Sequence, residues 1–326
     1  MDHLLTTDPS DPSPTSVVRD AGAPFNDVEP GLTVFLLSSD RVFFGVYKAI
    51  LAKASPVFND IFRLPLPESA PDDGEEQRQG VPIIRMEEDA CTLSLALRLL
   101  YPTDNPPLKR LRDVKAALGI LDKFMVDAFV ETLSSALLAH VDAEPLTVYG
   151  LACRYRYPSV AATAAKATLS LPLPQDLPLS HGLTPPQAQA LQQYRRDCVR
   201  KVAVGVLDWA RTSAAQVDPS FSLECGNRIH FYYVVARDAR NGSYEHTAVP
   251  HWWAAYHKDV AEAVQACPRG SAAVGERLLE KYRAIVRECA QCRRSAEGVL
   301  ARCSAFMEAE IERAVGQVPG PFCASY

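Results

Sequence analysis

The stretch from Leu32 to Phe62 constrains the fold of this 326-residue chain more than any other. Residues 32–37 form a compact apolar run, Ser38-Ser39-Asp40-Arg41 supplies turn formers, and residues 42–46 are apolar again. Two such runs around a short polar break predict a β-hairpin of buried strands. A short helix is predicted over residues 47–53. Ser55-Pro56 opens another, with Ser as N-cap and Pro at the first helical position, where its missing N–H has no partner to lose. Val57, Phe58, Ile61 and Phe62 recur at helical spacing and mark its buried face.

The next segment, residues 65–80, is acidic and carries Pro65, Pro67 and Pro71, so it reads as an exposed loop. Residues 81–86 predict a third strand. Glu87-Glu88-Asp89 leads into a helix with Leu93, Leu97 and Leu100 on one face and Tyr101 beside them. After the turn forced by Thr103-Asp-Asn-Pro-Pro107 come two helices, one through Val114, Leu118 and Leu121, the other through Phe129, Leu133 and Leu137. Strand, strand, helix, helix, strand and further helices make a mixed α/β unit. Helices at 55–62 and 91–101 should cover the hairpin, with Phe58 and Leu97 buried.

The run Phe44-Gly-Val-Tyr-Lys-Ala-Ile-Leu-Ala-Lys-Ala-Ser-Pro-Val-Phe-Asn-Asp-Ile-Phe62 resembles the BTB/POZ signature F-x-V-H-K-x-x-L-x-x-x-S-x-x-F-x-x-x-F. Leu97-Arg-Leu-Leu-Tyr101 is similar to the L-L-x-x-I-Y helix that follows it. Leu121-Asp-Lys-Phe-Met-Val-Asp-Ala-Phe-Val130 is similar to the closing A-D-K-Y-x-M-x-x-L segment. The three pieces occur in family order across residues 25–141, and the whole chain resembles BTB proteins abundant in mushroom-forming fungi. The resemblance implies an α/β (α+β) BTB/POZ fold followed by a mainly helical C-terminal region. Tyr47 stands where the family has His. Thr33 falls where dimeric members carry an Asp that pairs with a Lys, and without that carboxylate the family's charged dimer pairing is weakened.

This reading divides the chain into a disordered lead-in (1–24), the BTB/POZ domain (25–141), a helical extension (142–211) and a mainly helical C-terminal region (212–326) with a small hairpin. Within the extension, residues 145–171 predict a helix pair and 187–210 a longer helix through Leu191, Tyr194, Cys198, Val202 and Leu207. Residues 221–225 and 228–235 alternate around Gly226-Asn227, a hairpin signal. Apolar spacing from 274 to 315 predicts one helix, or two meeting near Gly298.

The formal net charge is −5 and no dense basic cluster occurs, which argues against nucleic acid as a partner. No secretory signal and no stretch near 18 apolar residues is found, so no membrane partner is expected. Nine cysteines without a signal predict mostly free thiols in a reducing compartment, the cytoplasm or nucleus. Cys323-Ala-Ser-Tyr326 fits a prenylation box only formally, since Ser325 is not aliphatic and no polybasic stretch precedes it.

Cys289-x-x-Cys292 could supply two zinc ligands, and Cys225 and His230 on the expected hairpin would complete a tetrahedron. Against this, Cys289, Cys292 and Cys303 fall on the apolar stripe of one helix, where cysteine acts as a small hydrophobe. Apart from zinc at these four residues, no cofactor is expected. His246, His251 and His257 lack the i, i+4 spacing of a helical metal pair, and Trp252-Trp253 suits core anchoring. No nucleophile elbow, phosphate-cradling loop or dinucleotide fingerprint occurs, and the acidic pairs Asp72-Asp73 and Glu87-Glu88 suit solvated faces or a helix start. The chain therefore reads as no enzyme; a catalytic site in the C-terminal half ranks last.

Leu66-Pro67-Glu68 fits, in both pattern and position, the hydrophobic-x-Glu element with which some BTB adaptors contact a cullin scaffold. A proline-stiffened loop with an incidental Glu accounts for the same residues. The resemblance implies an interaction scaffold or adaptor, with Leu66 and Glu68 as partner-binding residues in a cullin-RING ubiquitin ligase. The alternative is a self-associating BTB protein, a homodimer in transcriptional or assembly regulation.

Overall fold

The computed structural model describes residues 18–64, 77–102, 106–171, 182–205, 234–237, 244–247, 251–288 and 296–321. The chain forms two compact units, residues 1–137 and 138–326. The first is mixed α/β around a curled five-stranded sheet, and helix predominates over the whole chain.

The predicted hairpin forms. β2 (Thr33–Leu37) pairs antiparallel with β3 (Val42–Tyr47), Leu36 opposite Phe44. Its turn is held by Ser38, whose Oγ accepts from the Val42 N–H at 2.8 Å. β5 (Val81–Arg85) runs parallel to β2, giving the order β1-β3-β2-β5-β4. The two outer strands were not expected. β1 (Arg19–Asp20) falls inside the expected lead-in and runs parallel to β3, while β4 (Gln77–Arg78) falls inside the expected loop and pairs with β5. Each is two residues long, too short to show a period. An Arg78–Asp20 ion pair links them.

The strands read as continuous apolar runs because both faces of the sheet are covered. On the helical face Leu36 lines a small apolar cavity together with Phe58, Leu93, Leu97 and Leu121. On the other face Phe35, Leu37, Phe43 and Val81 cluster under Val28 and Ile83, with the Arg78 guanidinium 4.5 Å from the Phe43 ring centroid.

α1 is Lys48–Ala54, so Tyr47 closes β3 instead of opening a helix. α2 (Pro56–Ile61) starts as its sequence dictates: the Ser55 Oγ accepts from the Phe58 N–H at 3.1 Å and donates to the Phe124 carbonyl at 2.5 Å. α3 (Ala90–Leu100) is capped by Asp89, which accepts from the Thr92 N–H. α4 (Leu111–Lys123) and α5 (Val130–Leu138) follow. Phe58 and Leu97 are buried. Phe129, expected on the α5 face, is in the left-handed region (φ 69°) just before that helix.

The second unit is built on helices. α6 (Pro145–Arg154) and α7 (Pro158–Thr168) form the expected pair, and α8 spans Pro185–Gly205. The hairpin expected around Gly226-Asn227 lies outside the described residues except for Val234 and Val235. The hairpin that is described joins β6 (Val234–Arg237) to β7 (Tyr244–Thr247). α9 (His251–Ala266), α10 (Ser271–Val274), α11 (Glu276–Glu288) and α12 (Ala296–Gly316) complete it. The last apolar segment is described as α11 and α12, the residues 289–295 between them lie outside the described residues, and Gly298 is the third residue of α12. Among the described residues, no helix is long and apolar enough to cross a membrane.

Candidate functional site

Leu66 and Glu68 lie outside the described residues, as do Cys225, His230, Cys289 and Cys292. Among the described residues, no group of three or more His, Cys, Asp or Glu side chains could hold a metal ion. Cys303 is buried on α12, as its place on the apolar stripe predicts, and Cys91, Cys198 and Cys267 are also free thiols. Cys153 is disulfide-bonded, an exception among otherwise free thiols in the described residues. Trp252 and Trp253 are core residues, as expected: Trp253 stacks on Tyr256 with centroids 5.4 Å apart, and Tyr256 meets Tyr282 edge-on at 5.3 Å.

The described surface nearest in sequence to Leu66 lies where α2 and α4 end. Phe58 stacks on Phe62 at 5.9 Å and on Phe124 at 4.4 Å, so the two helix ends share one row of rings. Just beyond the row the chain turns apolar side chains to solvent: Leu64 is 68% exposed and Met125 62%, with Val130 at 54% on the first turn of α5.

The backbone around Met125 is specific. The Val126 N–H donates to the Leu121 carbonyl at 2.8 Å and the Met125 N–H to the Asp122 carbonyl at 3.1 Å. These are the two bonds of a Schellman motif with Met125 at C′, the position where glycine is preferred. Met125 accordingly has φ 52°. Val126 and Leu121, the pair that this motif brings together, are both buried and line one apolar cavity. A bulky residue in the left-handed region costs on the order of 1–2 kcal/mol. The α4–α5 connection therefore holds an exposed methionine where local energetics favour glycine. No isolated sequence rule finds this residue, because its backbone geometry is set by two carbonyls inside the preceding helix.

Electrostatics fix the same helix end. Lys123 Nζ lies 2.8 Å from Glu87 Oε2 and 2.6 Å from Glu88 Oε1, and these hydrogen bonds, that to Glu87 foremost, raise its pKa. Glu87-Glu88 is thus more than a solvated helix start, since it anchors the C-terminus of α4. Away from this surface, Thr33 is fully buried and its Oγ1 donates to the Glu29 carbonyl at 2.8 Å. Tyr47 donates its OH to Glu29 Oε1 at 2.8 Å, while its N–H donates to the Tyr101 hydroxyl. Thr33 and Tyr47, the two positions that depart from the BTB pattern, are therefore hydrogen-bonded within the chain. A scan against protein-family models finds no match for this chain, and neither does a search of curated proteins.

Proposed function

We propose that the chain is a non-catalytic protein-interaction adaptor with a BTB/POZ-type N-terminal unit, and that the end of this unit bearing Leu64 and Met125 docks a cullin-type scaffold. The carrying observation is Met125, an exposed, polarizable side chain kept at a left-handed position where glycine would be more stable. Local rules tend to be broken where a surface has another task. Three further features support the reading: the order of strands and helices in the unit, the capped Ser55-Pro56 helix, and the closeness in sequence of Leu64 to the Leu66-Pro67-Glu68 element. In this reading Leu66 inserts beside Met125 in a partner groove, and Glu68 makes a polar contact at its edge.

The test is a titration of the purified full chain against a cullin scaffold. Leu66→Asp and Met125→Asp should each weaken binding by about 2 kcal/mol or more, as loss of a buried anchor does. Asp72→Ala should do little beyond slowing association. A wild-type chain that shows no scaffold binding but sediments as a dimer would replace this reading with the self-associating one.

A further inference from the structure

The C-terminal unit contains a groove of about 700 Å³, distinct from the surface around Met125. One wall is a stripe of α8 that includes Ala190, Tyr194, Asp197, Lys201 and Val204. Residues three and four apart share a helix face. From Ala190 to Val204 the stripe extends about 21 Å at 1.5 Å per residue. The other wall is segment 317–321, which follows α12. Its place is fixed by a close approach: a Cβ on Gly320 would lie 3.2 Å from the Ala162 Cβ of α7.

The two walls differ in chemistry. Segment 317–321 carries no charged residue. Pro319 and Pro321 have no backbone N–H. The Gln317 and Val318 amides already donate to the Ala314 and Val315 carbonyls. Against its carbonyls this wall keeps two donor groups, the Gly320 N–H and the Gln317 side-chain amide, so acceptors outnumber donors. The α8 wall carries Arg200 and Lys201 against one carboxylate, Asp197. The Asp197 carboxylate is taken up by Gln193 Nε2 at 3.0 Å and by an ion pair with Arg200. Lys201 has no ion-pair partner among the described residues. In a chain of net charge −5 this stripe runs against the average sign. On the α8 wall Val204 is 69% exposed, the most exposed large hydrophobic side chain among the described residues.

We propose that this groove binds an extended acidic peptide segment of a partner protein. A carboxylate of the peptide meets Lys201, an aliphatic side chain lies on Val204, and its backbone N–H groups donate to the wall at 317–321. Charge complementarity selects the acid, and the carbonyl-rich wall selects a chain with N–H donors. A phosphate polymer fits poorly, because its oxygens would face carbonyls and apolar Ala190, Val204 and Val318. That the peptide belongs to a client rests on the adaptor reading; the chemistry of the groove does not.

The experiment selects a random peptide display library on the full chain, then titrates the best peptide, fluorescein-labelled, against the wild type, Lys201→Glu and Val204→Asp. Selection should enrich Asp or Glu beside Leu or Val. Each variant should weaken binding about ten-fold or more, as should raised salt. Val204 is solvent-facing and Lys201 has no ion-pair partner among the described residues, so circular dichroism should show both variants folded. Met125→Asp, run in parallel, should keep peptide binding, so loss of the scaffold and loss of the peptide are separate results. No enrichment, a basic consensus, or equal affinity for the wild type and both variants would overturn the proposal. So would tight, Lys201-dependent binding of a single-stranded RNA oligonucleotide, which would assign the groove to phosphates instead.

Discussion

At the scale of single residues, two positions show how backbone placement decides what a side chain can be. Gly45 sits mid-strand in β3, where glycine is otherwise unfavourable. A Cβ there would lie 3.2 Å from the Asp27 carbonyl oxygen and Val28 Cγ2 and 3.3 Å from the Phe25 carbonyl oxygen, and the Gly45 N–H already donates to Phe25 at 2.7 Å. The segment that covers the outer sheet face is thus seated directly on Gly45. Gly45→Val should push it away and destabilise the N-terminal unit by about 1–3 kcal/mol, the usual range for overpacking. Urea unfolding followed by tyrosine-sensitive circular dichroism measures this, and an unchanged midpoint would contradict the seating. Met125 is the opposite case. Met125→Gly should raise stability by up to about 1 kcal/mol, because φ near +50° is free of strain only for glycine. The same change should weaken scaffold binding. A variant that is both more stable and equally tight in binding would remove Met125 from the proposed interface.

At the scale of elements, the parts legible in the sequence are those whose signal is local. The β2–β3 hairpin shows in its apolar runs, α2 in Ser55-Pro56, and the α3 cap in Asp89. The helix α9 is not read from the sequence, because its Trp and His content draws attention as a cluster, although Trp253, Tyr256, Val260 and Val264, all fully buried, recur at helical spacing. β1 and β4 were not legible, because two-residue strands are defined only by the partner they meet. Nor was the junction around Gly270, which depends on residues some forty positions away. There Glu312 of α12 accepts from the Arg269 Nε at 2.7 Å and the Gly270 N–H at 2.9 Å, and pairs with Lys166 Nζ of α7 at 3.0 Å. Gly270 has an ordinary φ of −54°, so its requirement is space and not conformation. A Cβ would stand 2.7 Å from the Glu308 carbonyl oxygen, a backbone atom that cannot swing aside. Gly270→Ala should therefore cost the C-terminal unit about 2 kcal/mol or more. Thermal unfolding read by tryptophan fluorescence would test this, and an unshifted midpoint would show that α12 yields without cost.

For the molecule as a whole, acid stability should be governed by two groups of the C-terminal unit with opposite chemistry and the same sign. His257 is 7% exposed beside Trp253, and burial pushes its pKa down to about 4. Burial would raise Glu312, but hydrogen bonds from Arg269, the Gly270 amide and Lys166 outweigh it and hold the carboxyl at about 2. Both folded values lie below the ordinary ones, so the unfolded chain binds more protons, and each contribution is full above the ordinary pKa and lost as pH falls. For His257 the loss runs from about pH 6.5 to about 4, with an upper bound of about 3 kcal/mol. For Glu312 it begins below about pH 4.5 and continues towards 2. The C-terminal unit should therefore weaken in mildly acidic solution, where ordinary carboxylates are still ionised. All three tryptophans belong to that unit, so their fluorescence reports it selectively. Urea unfolding between pH 7.5 and 4.5 should show the wild type losing stability through this window. His257→Leu should give a flatter curve that meets the wild-type slope only below about pH 4.5, where carboxylates such as Glu312 take over. Parallel curves for the two proteins across the window would mean that His257 is not the group that titrates.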